Sequence, residues 1–217
     1  MSQEEQFDIF NEQMVRTGTA SRKEVHARGL WHQTFHCWIL SQETDKQWSL
    51  LLQLRHKDKD TFPDMLDISC AGHLLAGETP DEGTRELEEE LGILADPQEL
   101  QFLQVIAEEN LISDSLIDRE FCHVCLYECS QPMSSYRLQQ SEVAGLFRVA
   151  VIPFMKLIAG EQDDVLAYGI RYEEETNLYI EENRSVRLED IAPNSTHYYN
   201  VLFGAMNRFM DRSGTGG

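Results

Sequence analysis

Strand-like runs recur along the chain, one helix near its middle has both ends written in the sequence, and an amphipathic helix closes it. Together these predict an α/β (α+β) sandwich with a mixed sheet, an N-terminal β-hairpin and a C-terminal helix. No internal repeat is present, and no linker rich in Gly, Pro or Ser divides the chain. Residues 1–211 are therefore expected to form a single domain, with residues 212–217 a disordered tail.

Taken in order, Glu5 to Thr17 alternates around Phe7, Ile9 and Phe10 and then Met14 and Val15, which reads as a small hairpin. Ser21 and Glu24 form a capping box that opens a short helix ending near Gly29, so residues 1–28 make a hairpin and a helix. Strands are expected over Leu30 to Leu40, Trp48 to Leu54, Asp67 to Leu74, Gln101 to Ala107, Glu120 to Glu128 and Glu142 to Val149. Pro153 opens a helix stopped by Gly160, and residues 161–193 are poorly patterned, hairpin and loop, an insertion or loop region expected to set specificity together with the N-terminal hairpin and Glu108 to Asp118. Ser195 precedes the last helix, which runs to about Asp211 with Tyr198, Leu202, Ala205, Met206 and Phe209 along its core-facing stripe.

The middle helix carries the chemistry. Thr79 is its expected N-cap, Pro80 its first helical residue, Glu82 the completion of a capping box and Gly92 its left-handed stop. Between them Glu86, Glu89 and Glu90 share one face, and they lie near the helix C-terminus, where acids oppose the macrodipole and repel one another. A solvated face would mix in Lys; convergent carboxylates suit a hard cation such as Mg2+ or Mn2+. The stretch GHLLAGETPDEGTRELEEELGI, Gly72 to Ile93, resembles the Nudix box, with Gly72, Glu78, Arg85, Glu86, Leu87, Glu89, Glu90, Gly92 and Ile93 on its fixed positions. Six residues rather than the family's seven separate Glu78 from Arg85. The resemblance implies an αβα sandwich, a divalent cation, and hydrolysis of a diphosphate linkage.

Thirty-eight acidic against 18 basic residues give a formal net charge of −20. Such a field excludes nucleic acid and anionic membranes as natural partners, and a diphosphate substrate then needs cations and local basic residues. No apolar run is long enough to span a bilayer and no signal pattern opens the chain. Five cysteines, an odd number, point to a reducing cytoplasm rather than a disulfide framework.

Outside the box, His26, His32 and His36 cluster, but without zinc-finger spacing; packing or a polar pocket is the more frequent reason for such residues. Cys122 and Cys125 form a Cys-x-x-Cys that a strand would split between opposite faces. Arg55, Lys57 and Lys59 form a basic loop before the box; Arg55 and Lys59 are the candidates for holding substrate phosphates. The segments EVHARGLWHQTFHCWI and RHKDKDTFPDMLDISCAGH resemble the Nudix branch nearest type I isopentenyl-diphosphate isomerases. That resemblance implies metal-ligand roles for His32, His73 and Glu120. It also departs from the isomerases, whose catalytic cysteine falls at Ala71, with Cys70 one residue earlier.

The resulting expectation is a Mg2+- or Mn2+-dependent pyrophosphohydrolase. Glu86, Glu89 and Glu90 hold the metals, Glu120 and the Gly72 carbonyl complete them, Glu86 accepts the water proton and Arg85 orients the cluster. Arg55, Lys59, His32, His36, His73 and Glu142 line the substrate. The substrate is a nucleoside diphosphate derivative or an isoprenoid diphosphate, and the resemblance admits a homodimer. An isomerase-like enzyme and a non-catalytic nucleotide-binding module are the alternatives; loss of the box acids would favour the latter, and all three are retained.

Overall fold

A computed structural model describes residues 5–44, 46–113 and 116–214 of the chain. The N-terminal hairpin is present as β1 (Gln6–Phe10) and β2 (Arg16–Ser21), with the second arm extending beyond the expected end at Thr17. Asn11 makes its turn by accepting hydrogen bonds from the backbone N–H groups of Gln13 and Val15. The helix α1 (Arg22–Arg28) starts on Ser21, whose hydroxyl accepts from Glu24 N–H, and stops at Gly29 with φ 60°.

The main sheet contains β3 (His32–Gln42), β4 (Trp48–Arg55), β5 (Leu66–Asp67), β6 (Cys70–His73), β7 (Gln101–Ser113), β8 (Leu116–Glu128), β9 (Val143–Ala150), β10 (Val165–Glu173) and β11 (Leu178–Val186). Its order is β11-β10-β9-β4-β3-β8-β7, with β5 beside β4 and β6 beside β3. Among the described pairings within it only β3 and β8 are parallel, so the sheet is mixed as expected. The helices α2 (Arg85–Leu91), α3 (Val151–Ile158) and α4 (Thr196–Gly214) cover it. Alternation along β3 sends Trp38 and Leu40 into a core with α3 and α4, and Phe35, Cys37 and Ile39 into a second core with Leu87 and Leu91 of α2. Cys122 and Cys125 fall in these two separate cores, as strand geometry requires.

The strand expected from Asp67 to Leu74 is instead two short pieces with different neighbours. β3 pairs with β4 only over Ile39–Gln42, and nearer its start it pairs with β6 over Thr34–Cys37. The sheet therefore forks. Buried Ser69 sits in the fork, accepting from Ile39 N–H and donating to the Leu51 carbonyl. That opening is where the functional side chains gather.

Three further stretches differ in part from expectation. Residues 161–193 are mainly the β10–β11 hairpin, which continues the sheet beyond β9; only Ala192 and Pro193 of this region reach the central cavity. Its outer strand is exposed at most positions, so it lacks the apolar alternation by which strands are read. The stretch from Glu108 to Asp118, expected to contribute to specificity, belongs to the long arms of the β7–β8 hairpin, and its Asn110 and Asp118 line the central cavity. The last helix reaches Gly214, past Asp211, while residues 215–217 of the expected tail lie outside the described residues.

Helix α4 is tied to the sheet at its first turn. Ser195 caps it by accepting from Tyr198 N–H, and the buried Glu108 carboxylate of β7 accepts both the Ser195 hydroxyl and its N–H. Glu108→Ala should lower stability by about 1–2 kcal/mol, because it leaves buried donors without partners. A urea titration showing an unchanged midpoint would contradict this anchoring. Among the described residues no helix is long and apolar enough to cross a membrane.

Candidate active site

Helix α2 is shorter than its sequence suggests. Glu82–Thr84 is a 3-10 turn, and α2 begins at Arg85 rather than Pro80. Thr79 donates through both its N–H and its hydroxyl to Glu82, so the side-chain half of the capping box survives without an α-helical turn behind it. A 3-10 segment rises more per residue than an α-helix, which lets six residues bridge Glu78 and Arg85. The shortened box thus keeps Glu78 in register: it accepts Arg85 Nε at 2.7 Å and Nη2 at 3.0 Å, and Leu75 N–H at 2.7 Å. Arg85 also donates to the His73 carbonyl, Glu86 and Glu89, saturating its guanidinium. Gly92, with φ 71°, ends the helix as expected.

Because Leu87 and Leu91 face the core, Glu86 and Glu90, one turn apart, are turned toward β6. Glu86 lies so close over Gly72 that a Cβ there would overlap its carboxylate. Glu90 is buried and one of its oxygens, Oε2, has no hydrogen-bond partner among the described residues. Glu89 is half exposed and is held by Arg85 at 3.1 Å.

Glu120 is elsewhere. It sits on β8 beside His32 in the parallel register of β3, and alternation puts Asp118, Glu120, His32 and His36 on one face. There it meets His73 of β6 and His26 of α1. His26 Nε2 and His32 Nε2 lie 3.8 and 3.7 Å from Asp118 Oδ1, and His32 and His73 Nε2 lie 3.9 and 4.0 Å from Glu120 Oε1. Those separations are too long for hydrogen bonds, yet they suit two ligands flanking one cation at about 2.0–2.2 Å. The Nε2 atoms of His26, His32 and His73 and Oδ1 of Asp118 are all buried without a hydrogen-bond partner among the described residues, as in a donor set built for an ion. Phe7 of the hairpin, fully buried, stacks on His73 with ring centroids 4.6 Å apart and closes this pocket from outside.

Glu86, Glu89, Glu90, Gly72, His36, His73, Glu120, Arg55, Lys59 and Glu142 all line one cavity at the fork of the sheet, in two groups on either side of β6. Arg55 is engaged by Asp67 at 2.7 Å and by Thr61, while Lys59 is paired with Glu142. Two participants were not among the expected ligands: His26, set aside for want of a zinc spacing, and Asp118, the end of a stretch expected only to contribute to specificity. The alternation of Asp118 with Glu120 on a strand was the available signal for the second.

Residues 30–167 match the family model described as NUDIX domain. The chain belongs to the Nudix family. It is 41% identical over 204 residues to an uncharacterized Nudix hydrolase of Clostridium acetobutylicum, covering 94% of this chain and 98% of that relative. An isopentenyl-diphosphate Delta-isomerase of Serratia proteamaculans is 35% identical over 108 residues, covering 49% of this chain and 56% of that enzyme. A crystal structure of a Deinococcus radiodurans protein shares the fold, with TM-score 0.53 and 20% identity, over 73% of this chain and 91% of the other. The relatives and the retained box mark the chain as a Nudix hydrolase, and members of this family act on small molecules and generally use divalent metal ions.

Burial dominates the electrostatics of this Nudix hydrolase's site. It pushes the Glu86 carboxyl up to about 7, opposed by Arg85, and the Glu90 carboxyl up to about 8, with Glu86 adding to the rise and Lys59 opposing it. Burial likewise raises Asp118 to about 6, and it raises Glu120 well above the usual carboxylate range with Asp118 reinforcing it. The histidines move the other way: burial lowers His32 to about 4 and His73 well below its ordinary value. Neutral imidazoles beside carboxyls that resist ionising in the dry site make a donor set whose charge a divalent cation would restore.

Proposed function

We propose that this Nudix hydrolase is a Mg2+- or Mn2+-dependent pyrophosphohydrolase that cleaves a diphosphate linkage by attack of water at phosphorus. The observation that carries the reading is the convergence of Glu86 and Glu90, buried against Gly72, with the partnerless His26, His32, His73 and Asp118 atoms at one fork in the sheet. The oxygen-only face of Glu86, Glu89 and Glu90 suits Mg2+, and the mixed imidazole and carboxylate set around Glu120 suits Mn2+ or a similar ion. Cations held there neutralise charge on the phosphoryl oxygens and make water more acidic. Glu86, buried against Gly72 beside Glu90, would accept the proton of the attacking water. Arg85 fixes the angle of Glu86 and Glu89, while Arg55 and Lys59 reach substrate phosphates by exchanging their present partners, Asp67 and Glu142.

Apolar contributions to the cavity are few, Phe62, Ile68, Ala71, Ala192 and Pro193 among charged neighbours, which favours a nucleoside diphosphate derivative over an isoprenoid diphosphate. The isomerase reading has the likeness to isomerases behind it, but Ala71 stands at the cysteine position. Cys70 sits on the opposite face of β6, in the core with α2. Incubating diphosphate compounds with Mg2+ or Mn2+ and reading the products by mass tests the proposal. Release of a monophosphate is expected, abolished by Glu89→Gln and by Glu90→Gln. Near-full activity in either variant would remove the assignment, and conversion of isopentenyl diphosphate to its allylic isomer would favour the isomerase.

A further inference from the structure

His36 groups with Glu120 and Cys122 rather than with His26, His32 and His73, and one of its ring nitrogens is held from the core. Its Nδ1 lies 3.0 Å from the Tyr198 hydroxyl, which also accepts Trp38 Nε1–H at 3.0 Å. Tyr198 is fully buried at the start of α4, and these are the partners of its hydroxyl among the described residues. An indole N–H only donates, so the Tyr198 oxygen accepts from Trp38 and must place its own proton elsewhere. His36 Nδ1 is the available acceptor. If Nδ1 instead carried a hydrogen, the phenol proton would be stranded in the core.

The remaining ring nitrogen, Nε2, then bears the hydrogen, and it faces the cavity 3.9 Å from Glu120 Oε2, beyond hydrogen-bond length, while the Cys122 thiol donates to the same oxygen at 3.8 Å. The other Glu120 oxygen, Oε1, faces His32 and His73. We propose that His36 is a positioning residue for Glu120: Trp38 and Tyr198 lock it as the Nε2–H tautomer. That N–H dipole and the Cys122 thiol, which donates to Oε2, hold Oε2 on their side and leave Oε1 to face the ion-binding histidines. A proton on Nε2 also bars His36 itself from ligating an ion through that atom. This rests on the reading of the His26, His32, His73, Asp118 and Glu120 set as a cation site. The link runs from the C-terminal helix through one hydroxyl to a carboxylate on β8, so the anchor of α4 on Glu108 supports the site indirectly.

The test begins with ring nitrogen–proton correlation spectra of the 15N-histidine-labelled full chain without metal, His36 being assigned by its absence in His36→Gln. The wild type should show a protonated Nε2 and an unprotonated Nδ1, and Tyr198→Phe should lose this fixed tautomer. Calorimetric titration with Mn2+ follows. His36→Leu should weaken binding about 10–100-fold, whereas His36→Gln, which retains an N–H donor, should recover most of the affinity. Both variants lie on the cavity wall, so they carry the test if Tyr198→Phe folds poorly. An Nδ1–H tautomer in a wild type that binds Mn2+, or equal affinities of the Leu and Gln variants and the wild type, overturns the proposal alone. A wild type that does not bind Mn2+ overturns the cation reading and this proposal with it.

Discussion

Gly72→Ala is expected to reduce turnover by about 100-fold or more while shifting the melting temperature only slightly. The added Cβ would occupy the space of the Glu86 carboxylate. The backbone at this position needs no left-handed φ, so alanine imposes no strain on β6 itself. Relief therefore comes from the far end of the Glu86 side chain, which can swing away at low cost to the fold. A displacement of about 1 Å at a reacting group is enough for a loss of that size. The separation of the two effects is what matters: kcat collapses, the fold persists. If Gly72→Ala retained wild-type turnover, the close approach of Glu86 to β6 would have no catalytic meaning. If it simply unfolded, Gly72 would be a packing residue.

The acidic face of α2 and the positions of several strands were legible in sequence because each is written locally. Gly92 announces a left-handed stop, the Leu87 and Leu91 spacing announces a buried stripe, and alternation announces β3, β4 and β8. Glu78 was harder. Its register depends on whether six residues coil as α or 3-10, and the 3-10 turn sits with Gly83 tight against Phe35 and Leu74, contacts that no local pattern announces. The histidine set was harder still. Its members come from α1, β3, β6 and β8, and only the parallel register of β3 with β8 brings His32 beside Glu120. Sequence spacing rules describe ligands that share one helix or turn, so a site assembled across four elements leaves no local pattern to read. The β10–β11 hairpin was legible only in outline for the opposite reason: its outer strand carries Glu182 and Arg184 on its less exposed face and has no apolar period.

Without metal, thermal stability should fall as pH rises from about 6.5 to 8, and saturating Mn2+ should flatten or reverse that fall. Glu86 and Glu90 have folded pKa values of about 7 and about 8, above the ordinary 4.5, so the folded chain binds more protons than the unfolded one across this range. The stabilisation of such a group is complete below its unfolded pKa and disappears as pH rises through its folded pKa. Glu120, raised well above 4.5 by burial, adds to the same limb. His32 and His73 act oppositely: with folded pKa values depressed below 6.5, they destabilise the fold as pH drops from 6.5 toward 4. Between about 4.5 and 6.5 the two sets oppose each other; above 6.5 the carboxyls act almost alone. Their combined effect is on the order of 2–4 kcal/mol by pH 8, or roughly 5–10 °C for a chain of this size. A bound cation favours the ionised carboxylates and neutral imidazoles, so its stabilisation should grow with pH over the same interval. Melting curves in a chelator and in Mn2+, taken from pH 5 to 8, read both effects together. A chelated protein whose melting temperature holds constant or climbs above pH 6.5 would show that these carboxyls are already ionised in the fold. The dry, proton-holding site inferred from their burial would then be wrong.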